Sequence, residues 1–456
     1  MASLVNKGNG MKVRVMSRRL VSASDSSIKE HVLGVSNIDL LHGAFPVSLV
    51  CIYPRRPVGG FHAVVAAFES GLPSLLNHYF AHAGRIVANP RTDLHEILCN
   101  NQGAELIVGL ADVALVDVDF TTTIENVFHP RWRRCPSVGA ALQVVSFACG
   151  GFSVAWGHNH LLGDGHALLG LVDGFSELAR TGRLAPGARP VHDRSLFRPS
   201  STPSRCRSSS LAAFMPLTSD RMAQAISRLR EIASQDGDGR ATRVQAVLWN
   251  TLAAVVGVAD TRCRMGWWVD GRRRLTAPEH RALATSSYVG NVSIFVLGED
   301  SVEEIQRKSL PEVASMVHEL INARAYNDRF QEVVDWVEQH KSGATFMDAS
   351  TIGLGYPTVA VTAFTSFPMD IDLGFGHMAM AMTTTCGKGL CSGFIQMVAT
   401  PGGDGAWIVS ASVWPKLAAT LESDELRIFM PVIAEHLGLK LNEAIVKDND
   451  SLRSRF

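Results

Sequence analysis

Trp156-Gly157-His158-Asn159-His160-Leu161-Leu162-Gly163-Asp164-Gly165 is the stretch that decides how this chain is read. Two apolar runs precede or enter it, Leu142–Ala148 and Phe152–Trp156. They flank Gly150-Gly151 and read as buried strands. Behind it, Ala167–Thr181 carries apolar residues at helical spacing. His160 therefore falls in the connection between a buried strand and a helix, where a rigid scaffold commonly carries catalytic groups. Of the 16 histidines, only His160 has Asp at the fourth following position and Gly at the fifth. Imidazole titrates close to neutrality, which suits it to general-base work. The plainer alternative is a core histidine bonded to backbone. Gly163 and Gly165 weigh against it, because small residues permit a tight turn or a close ligand. Asp164 has two readings: it orients the imidazole as in a hydrolytic triad, or it pairs with a buried Arg and fixes the loop.

Outward from this centre, helices and strands alternate in both halves. Residues 27–31 and 59–79 read as helices, and 95–99 and 105–109 as short strands around Asn100-Asn101-Gln102-Gly103, a hairpin signal. Met11-Lys12-Val13-Arg14-Val15-Met16 alternates with period two, the pattern of an edge strand. The same region, free of acids over residues 1–24, also has the composition of a transit peptide. From Leu184 to Ser210 the composition turns to Pro, Ser and Arg, which marks a crossover linker. Beyond it, Asp220–Ser234 and Ala241–Val256 read as amphipathic helices, with Thr242 a candidate cap for the second. Arg264–Val269, Val289–Leu297, Val359–Thr365, Ile395–Ala399 and Trp407–Val413 read as strands, and Val302–His340 as mostly helix. The expectation is an α/β (α+β) protein with domains at 1–184 and 213–456, joined by a crossover at 185–212.

Composition narrows the function. Lys+Arg and Asp+Glu balance at 43 each, so nothing points to nucleic acid. No apolar run approaches the ~18 residues of a membrane span. The cysteines at 51, 99, 135, 149, 206, 263, 386 and 391 form no C-x-x-C pair, which argues against zinc and a secreted disulfide framework. A cytoplasmic protein with thiols packed as small hydrophobes is the simplest expectation. Gly374-Phe375-Gly376 superficially resembles a dinucleotide loop, but no helix and no ribose-binding acid follow. Asp372 there reads as part of a structural turn. Gly389-Leu390-Cys391-Ser392-Gly393 has nucleophile-elbow spacing, yet it leads into a strand and reads as a turn. Asn291-Val292-Ser293 is a formal glycosylation sequon without a secretory context.

Taken in order, these residues resemble the plant BAHD acyltransferases, which use coenzyme A thioesters. Ser36-Asn37-Ile38-Asp39, His82-Ala83-Gly84-Arg85 (similar to the family's PLAGR segment) and Cys99-Asn100-Asn101-Gln102-Gly103-Ala104 come first. His160–Gly165 resembles the HxxxDG motif. Val269-Asp270-Gly271-Arg272 with Tyr288-Val289-Gly290-Asn291 resembles the VDxR…YFGN region. Asp372–Gly376 resembles DFGWG, and Trp414-Pro415-Lys416-Leu417 the family's C-terminal segment.

The resemblance implies two chloramphenicol-acetyltransferase-like domains around a channel, with His160 reached by acyl-CoA from one side and the acceptor from the other. It implies that Asp164 pairs with an Arg, Arg272 first and Arg274 second, and that Asp372, Gly374 and Gly376 are structural. Acyl-CoA serves as co-substrate, with no cofactor and no metal, in a monomer of plant secondary metabolism. Where hydroxycinnamoyl-transferring members carry a Thr-Ser-Trp segment, this chain has Thr362-Ala363-Phe364. Thr362 is thus the candidate oxyanion donor, while Phe364 has no N–H to give. Where shikimate-using members carry an Arg, Thr365 or Ser366 stands, so a neutral alcohol acceptor is expected. N-acylation of an amine, a non-catalytic acyl-CoA-binding relative, and a peptide-synthetase condensation domain are the alternatives.

Overall fold

The computed structural model describes residues 11–120, 137–201, 223–229, 240–258, 261–322, 325–341, 357–385, 393–401, 406–423 and 429–439. Two twisted sheets dominate them. The first has six strands in the spatial order Val13–Val21, Ala104–Ala111, Ala140–Ser146, Phe152–Asn159, Pro46–Tyr53, Met380–Thr385. All its neighbours run antiparallel except Ala104–Ala111 beside Ala140–Ser146. Phe152–Asn159 lies inside this sheet and is buried at every position, its polar residues Ser153, His158 and Asn159 included. Its last strand, Met380–Thr385, comes from the far half of the sequence and pairs with Pro46–Tyr53, so the second half lends a strand to the first. Helices Gly60–His78 and Gly165–Thr181 pack together against this sheet; Phe68 and Phe175 stack between them at 4.8 Å.

The second sheet runs Ser293–Ser301, Arg262–Asp270, Thr358–Phe364, Gly393–Ala399, Trp407–Val413, Ala223–Leu229, Phe429–Pro431. Its core is dominated by Trp249, Trp267, Val296 and Ile395, under the helices Arg240–Val256, Leu310–Asn322 and Tyr326–His340. The mixed α/β class expected from the sequence is the one observed.

Several local expectations are corrected. Residues 27–31 are not helical: the Asp25 carboxylate holds the amide of Ser27 at 2.8 Å in a single turn, and a short strand, His31–Leu33, follows. Residues 95–99 and 104–111 are strands but not a hairpin. The first pairs with His31–Leu33 and Arg85–Ala88, the second with the six-stranded sheet. Arg85 sets this divergence by donating to the carbonyls of Gly84 and Gly103 at 2.7 and 2.9 Å. Within Asp220–Ser234, residues Ala223–Leu229 form a strand paired with Trp407–Val413 rather than a helix. Seven residues are too few for period alone to separate strand from helix, and the neighbouring strands decide. The strand expected at Val289–Leu297 is Ser293–Ser301, and Val302–His340 divides into three helices. Thr242 lies inside the helix Arg240–Val256 and not at its cap.

The crossover is not a free linker where it is described. Pro190–Val191 pairs with Ser287–Tyr288, and Arg194 is buried. The strand foreseen near Met11–Met16 is Val13–Val21, an outer and mostly exposed strand of its sheet. Cys51, Cys99 and Cys263 are buried free thiols whose pKa burial pushes up, Cys51 to about 12. Cys391 lies outside the described residues, as does the N-terminal decapeptide.

Candidate active site

Asp164 organises the turn after the buried strand. It caps the helix Gly165–Thr181 by accepting from the amide of Ala167 at 3.2 Å. The same carboxylate receives a two-pronged guanidinium contact from Arg272, at 2.7 and 3.0 Å, and the amide of Val292 at 2.9 Å. Burial alone would raise its pKa; Arg272 and these hydrogen bonds outweigh burial and hold it below the usual carboxylate range. Arg272 also bonds Asp270 and the carbonyl of Gly290, each at 3.1 Å. Arg274 turns elsewhere, to Asn322 at 2.9 Å. Of the two readings open for Asp164, the geometry is that of the buried Arg pair.

His160 opens a short 3-10 turn, His160–Leu162, directly after Asn159. Its amide donates to Phe45 at 2.7 Å, and its carbonyl accepts from the Asn291 side chain at 2.9 Å. Asn291 also gives both its amide and its side chain to Asp39, at 2.8 and 2.9 Å. Asp39 is fully buried and pairs with Arg194 at 2.8 Å. Arg194 in turn holds the carbonyls of Leu161 and Leu162, at 2.9 and 2.7 Å. The turn that carries His160 is thus gripped by the helix Asn37–His42, the crossover and the second half of the chain together.

His160 is half-buried as a residue, and its Nδ1 is buried. The ring of His42 stacks on it at 4.7 Å with the planes 9° apart, and Phe45 lies 5.0 Å away. Burial lowers the His160 pKa; Asp164, its own carbonyl, Asn291 and Asp39 partly restore it, and it stays below the ordinary histidine value. The ring is therefore neutral, and able to take a proton, at pH 7.

The glycines of the motif are required by close approach. A Cβ on Gly163 would lie 2.4 Å from the Ala167 methyl, and one on Gly165 would lie 2.2 Å from the Phe364 ring. Phe364 of the second sheet therefore packs directly over the motif. Thr362, two residues earlier on the strand Thr358–Phe364, shares that face by the period-two alternation of a strand. The Asp372 segment sits elsewhere. Asp372 accepts from the Gly374 amide at 2.7 Å and its carbonyl from the Ser176 hydroxyl. Gly374 and Gly376 have φ of +78° and +93°. Phe375 meets Tyr53 and Phe152 edge-on. That pair is seven residues from the Pro46–Asn159 end of the strands, so about 23 Å from the His160 end at normal strand rise.

Sequence reasoning missed His42, Phe45, Trp268 and Arg194, and saw Asn291 only as part of a resemblance and as a sequon. Asn291 is fully buried and already bonded twice, which excludes a glycan there. No local spacing joins these residues to His160; only the pairing of distant strands does. Among the described residues no group of three or more His, Cys, Asp or Glu is placed to hold a metal ion. Nor is any helix among them long and apolar enough to cross a membrane.

Comparison with known proteins bears on the family and the fold. A family model described as the Transferase family matches residues 11–413. The putrescine hydroxycinnamoyltransferase of Oryza sativa subsp. japonica is 27% identical over 421 residues, covering 80% of this chain and 89% of the relative. The shikimate O-hydroxycinnamoyltransferase of Nicotiana tabacum is 25% identical over 407 residues, with the same coverage of 80% and 89%. Among solved structures, vinorine synthase superposes with a TM-score of 0.66 at 17% identity, over 94% of this chain and 98% of the other. An F. sporotrichioides protein solved with coenzyme A and T-2 gives 0.70 at 16% identity, over 87% and 98%. These last two show the shared fold. With the family model spanning nearly the whole described chain, this protein belongs to the Transferase family of BAHD acyl-CoA-dependent acyltransferases.

Proposed function

We propose that the chain transfers an acyl group from an acyl-CoA thioester to the hydroxyl of a small neutral alcohol, with His160 as the general base. His160 removes the hydroxyl proton as the oxygen attacks the thioester carbonyl carbon. The carbon–sulfur bond then breaks, and the thiolate takes the proton back from the imidazolium, leaving an ester and free coenzyme A. Thr362 donates to the oxyanion of the tetrahedral intermediate. No acyl-enzyme forms; binding both substrates beside one base supplies the proximity term. The same reading takes 1–184 and 213–456 as the two domains of a cytoplasmic monomer.

The observation that carries this reading is the division of labour in the motif. His160 is neutral and partly exposed, while every described contact of Asp164 goes to Arg272, Val292 and the helix it caps. A base without an orienting carboxylate suits direct transfer better than a nucleophile–His–Asp relay. The absence of a cation at Thr365 and Ser366 supports a neutral acceptor. A second reading, N-acylation, is favoured by relatives named for putrescine and agmatine, since a base beside a channel serves an amine equally.

Thiol release is to be followed with several acyl-CoA donors against alcohols, polyamines and shikimate, with product masses. We expect ester formation, and a loss of about 10²–10⁴-fold in His160→Ala, the usual share of a general base. Amide products would transfer the assignment to amines, and efficient shikimate ester formation would overturn the neutral-acceptor reading. Acyl-CoA binding without turnover in either protein would indicate a binding relative.

A further inference from the structure

His42 closes the short helix Asn37–His42 and has no part in the reaction described above. Its Nε2 lies 3.0 Å from the Ser293 carbonyl. A carbonyl can only accept, so the ring donates to it in the tautomer that carries its proton on Nε2. The Ser293 hydroxyl lies at 3.0 Å from the same nitrogen. On its other contacts the ring stacks on His160 at 4.7 Å and 9°, and meets Trp268 at 4.5 Å and 36°. Ser293 and Trp268 both belong to the second sheet. The ring is buried at 5% exposure, so it also excludes water from the His160 face it covers.

We propose that His42 is a positioning residue for the reaction: a hydrogen-bonded ring that fixes the plane of the His160 imidazole and shields the face it covers from water. This rests on His160 being the general base. Burial and the nearby His160 hold His42 down to about 3, so it stays uncharged while His160 titrates. The charged or titratable groups around the pair are Asp39 on the same helix, Asp164 with its partner Arg272, Arg194 beside Asp39, and His158 on the preceding strand. Two properties of His42 are separable. A flat ring is needed for the stack, and an N–H for Ser293.

The test uses the full chain with His42→Ala, His42→Gln and His42→Phe, each checked for folding by thermal unfolding. Phe retains the flat ring and bulk; Gln retains an N–H without a ring. Two readouts are taken: kcat and KM for thiol release, and the His160 titration followed by NMR of labelled imidazoles, assigned with His160→Ala. In Ala and Gln we expect kcat to fall at least tenfold with KM within twofold. In both, the His160 midpoint should rise towards the ordinary histidine value as water reaches the ring. Phe should keep kcat within threefold and the midpoint low. Phe as slow as Ala, or an Ala variant with unchanged kcat and midpoint, would overturn the proposal. The titration needs no turnover. A wild type that transfers no acyl group but whose midpoint still rises in Ala and Gln would fail the transferase reading while sustaining the His42 assignment.

Discussion

Arg272 donates to both carboxylate oxygens of Asp164, at 2.7 and 3.0 Å, across a sequence separation of 108 residues. The aspartate four residues after His160 is thereby committed to joining the two halves of the molecule. Both side chains are buried, Arg272 at 3% exposure and Asp164 at 7%. Removing one partner of such a pair leaves an uncompensated buried charge, at a cost of about 3–5 kcal/mol.

Asp164→Asn should therefore lower the unfolding free energy by about 3 kcal/mol, since Asn can still cap the helix but cannot neutralise Arg272. His160→Ala should lower turnover about 10²–10⁴-fold with little loss of stability. Urea unfolding of the two variants checks the contrast. A stable Asp164→Asn protein that is merely slow would instead mean the carboxylate acts on the chemistry.

The pH–rate profile follows from the burial of His160. Its pKa lies below the ordinary 6.5, so the base form prevails at neutral pH. As pH falls, the ring gains a proton and loses its function. The kcat/KM profile should be flat around pH 7 and fall on an acid limb whose midpoint lies below 6.5. An acid limb at or above 6.5 would contradict the buried environment.

Stability should fall with acid over the same range. Burial lowers His42 and His158 to about 3, His192 to about 4, and His82 well below its usual value. His82 and His158 also share one contact, at 3.3 Å. The unfolded chain binds these protons below about pH 6.5 and the folded one does not. The stabilisation is thus complete above that pH and declines towards the folded values. Each such histidine contributes a slope of about 1.4 kcal/mol per pH unit between the two. Denaturant unfolding at pH 7.5, 6.0 and 5.0 measures the slope, and His158→Gln should flatten it by one proton. An unchanged slope in that variant would refute the neutral burial of His158.

How much of this was open to a reader of the sequence depends on distance along the chain. His160, its strand and its helix were legible because period, caps and glycines act within a few residues. Arg272 as the partner of Asp164 was available only through family resemblance, and His42, Arg194 and Trp268 not at all. Their positions are set by sheet pairing and by the chain crossing between halves, which leave no local signature. The strand Ala223–Leu229 shows the same limit, since its pairing with Trp407–Val413 overrides a helical reading. So does Met380–Thr385, which joins the sheet of the other half.

Gly165 and Phe364 should be energetically coupled. A methyl on Gly165 would lie 2.2 Å from the Phe364 ring, far inside contact distance. Gly165→Ala should cost about 1–3 kcal/mol by overpacking. Phe364→Leu should remove much of that clash, so the double variant should lose less than the sum of the two single ones. Strict additivity in unfolding free energies would place the Phe364 ring elsewhere.

Arg194 supplies the last prediction, because it separates charge from geometry. One guanidinium pairs with Asp39 at 2.8 Å and holds the carbonyls of Leu161 and Leu162 at 2.9 and 2.7 Å. A lysine can replace the charge but not the planar fork. Arg194→Met leaves Asp39 buried and unpaired, and should lose about 3–5 kcal/mol of stability. Arg194→Lys should lose less, about 1–3 kcal/mol, because the ion pair survives while carbonyls go unsatisfied. Turnover should not follow that order. Both variants release the turn that carries His160, and misplacing a base by about 1 Å can cost on the order of 10²-fold. Similar deficits in kcat at different stabilities, with KM for acyl-CoA unchanged, would be the mark of a residue that aims the base. A lysine variant with wild-type kcat would mean that the charge on Asp39, and not the grip on the two carbonyls, is what the crossover contributes.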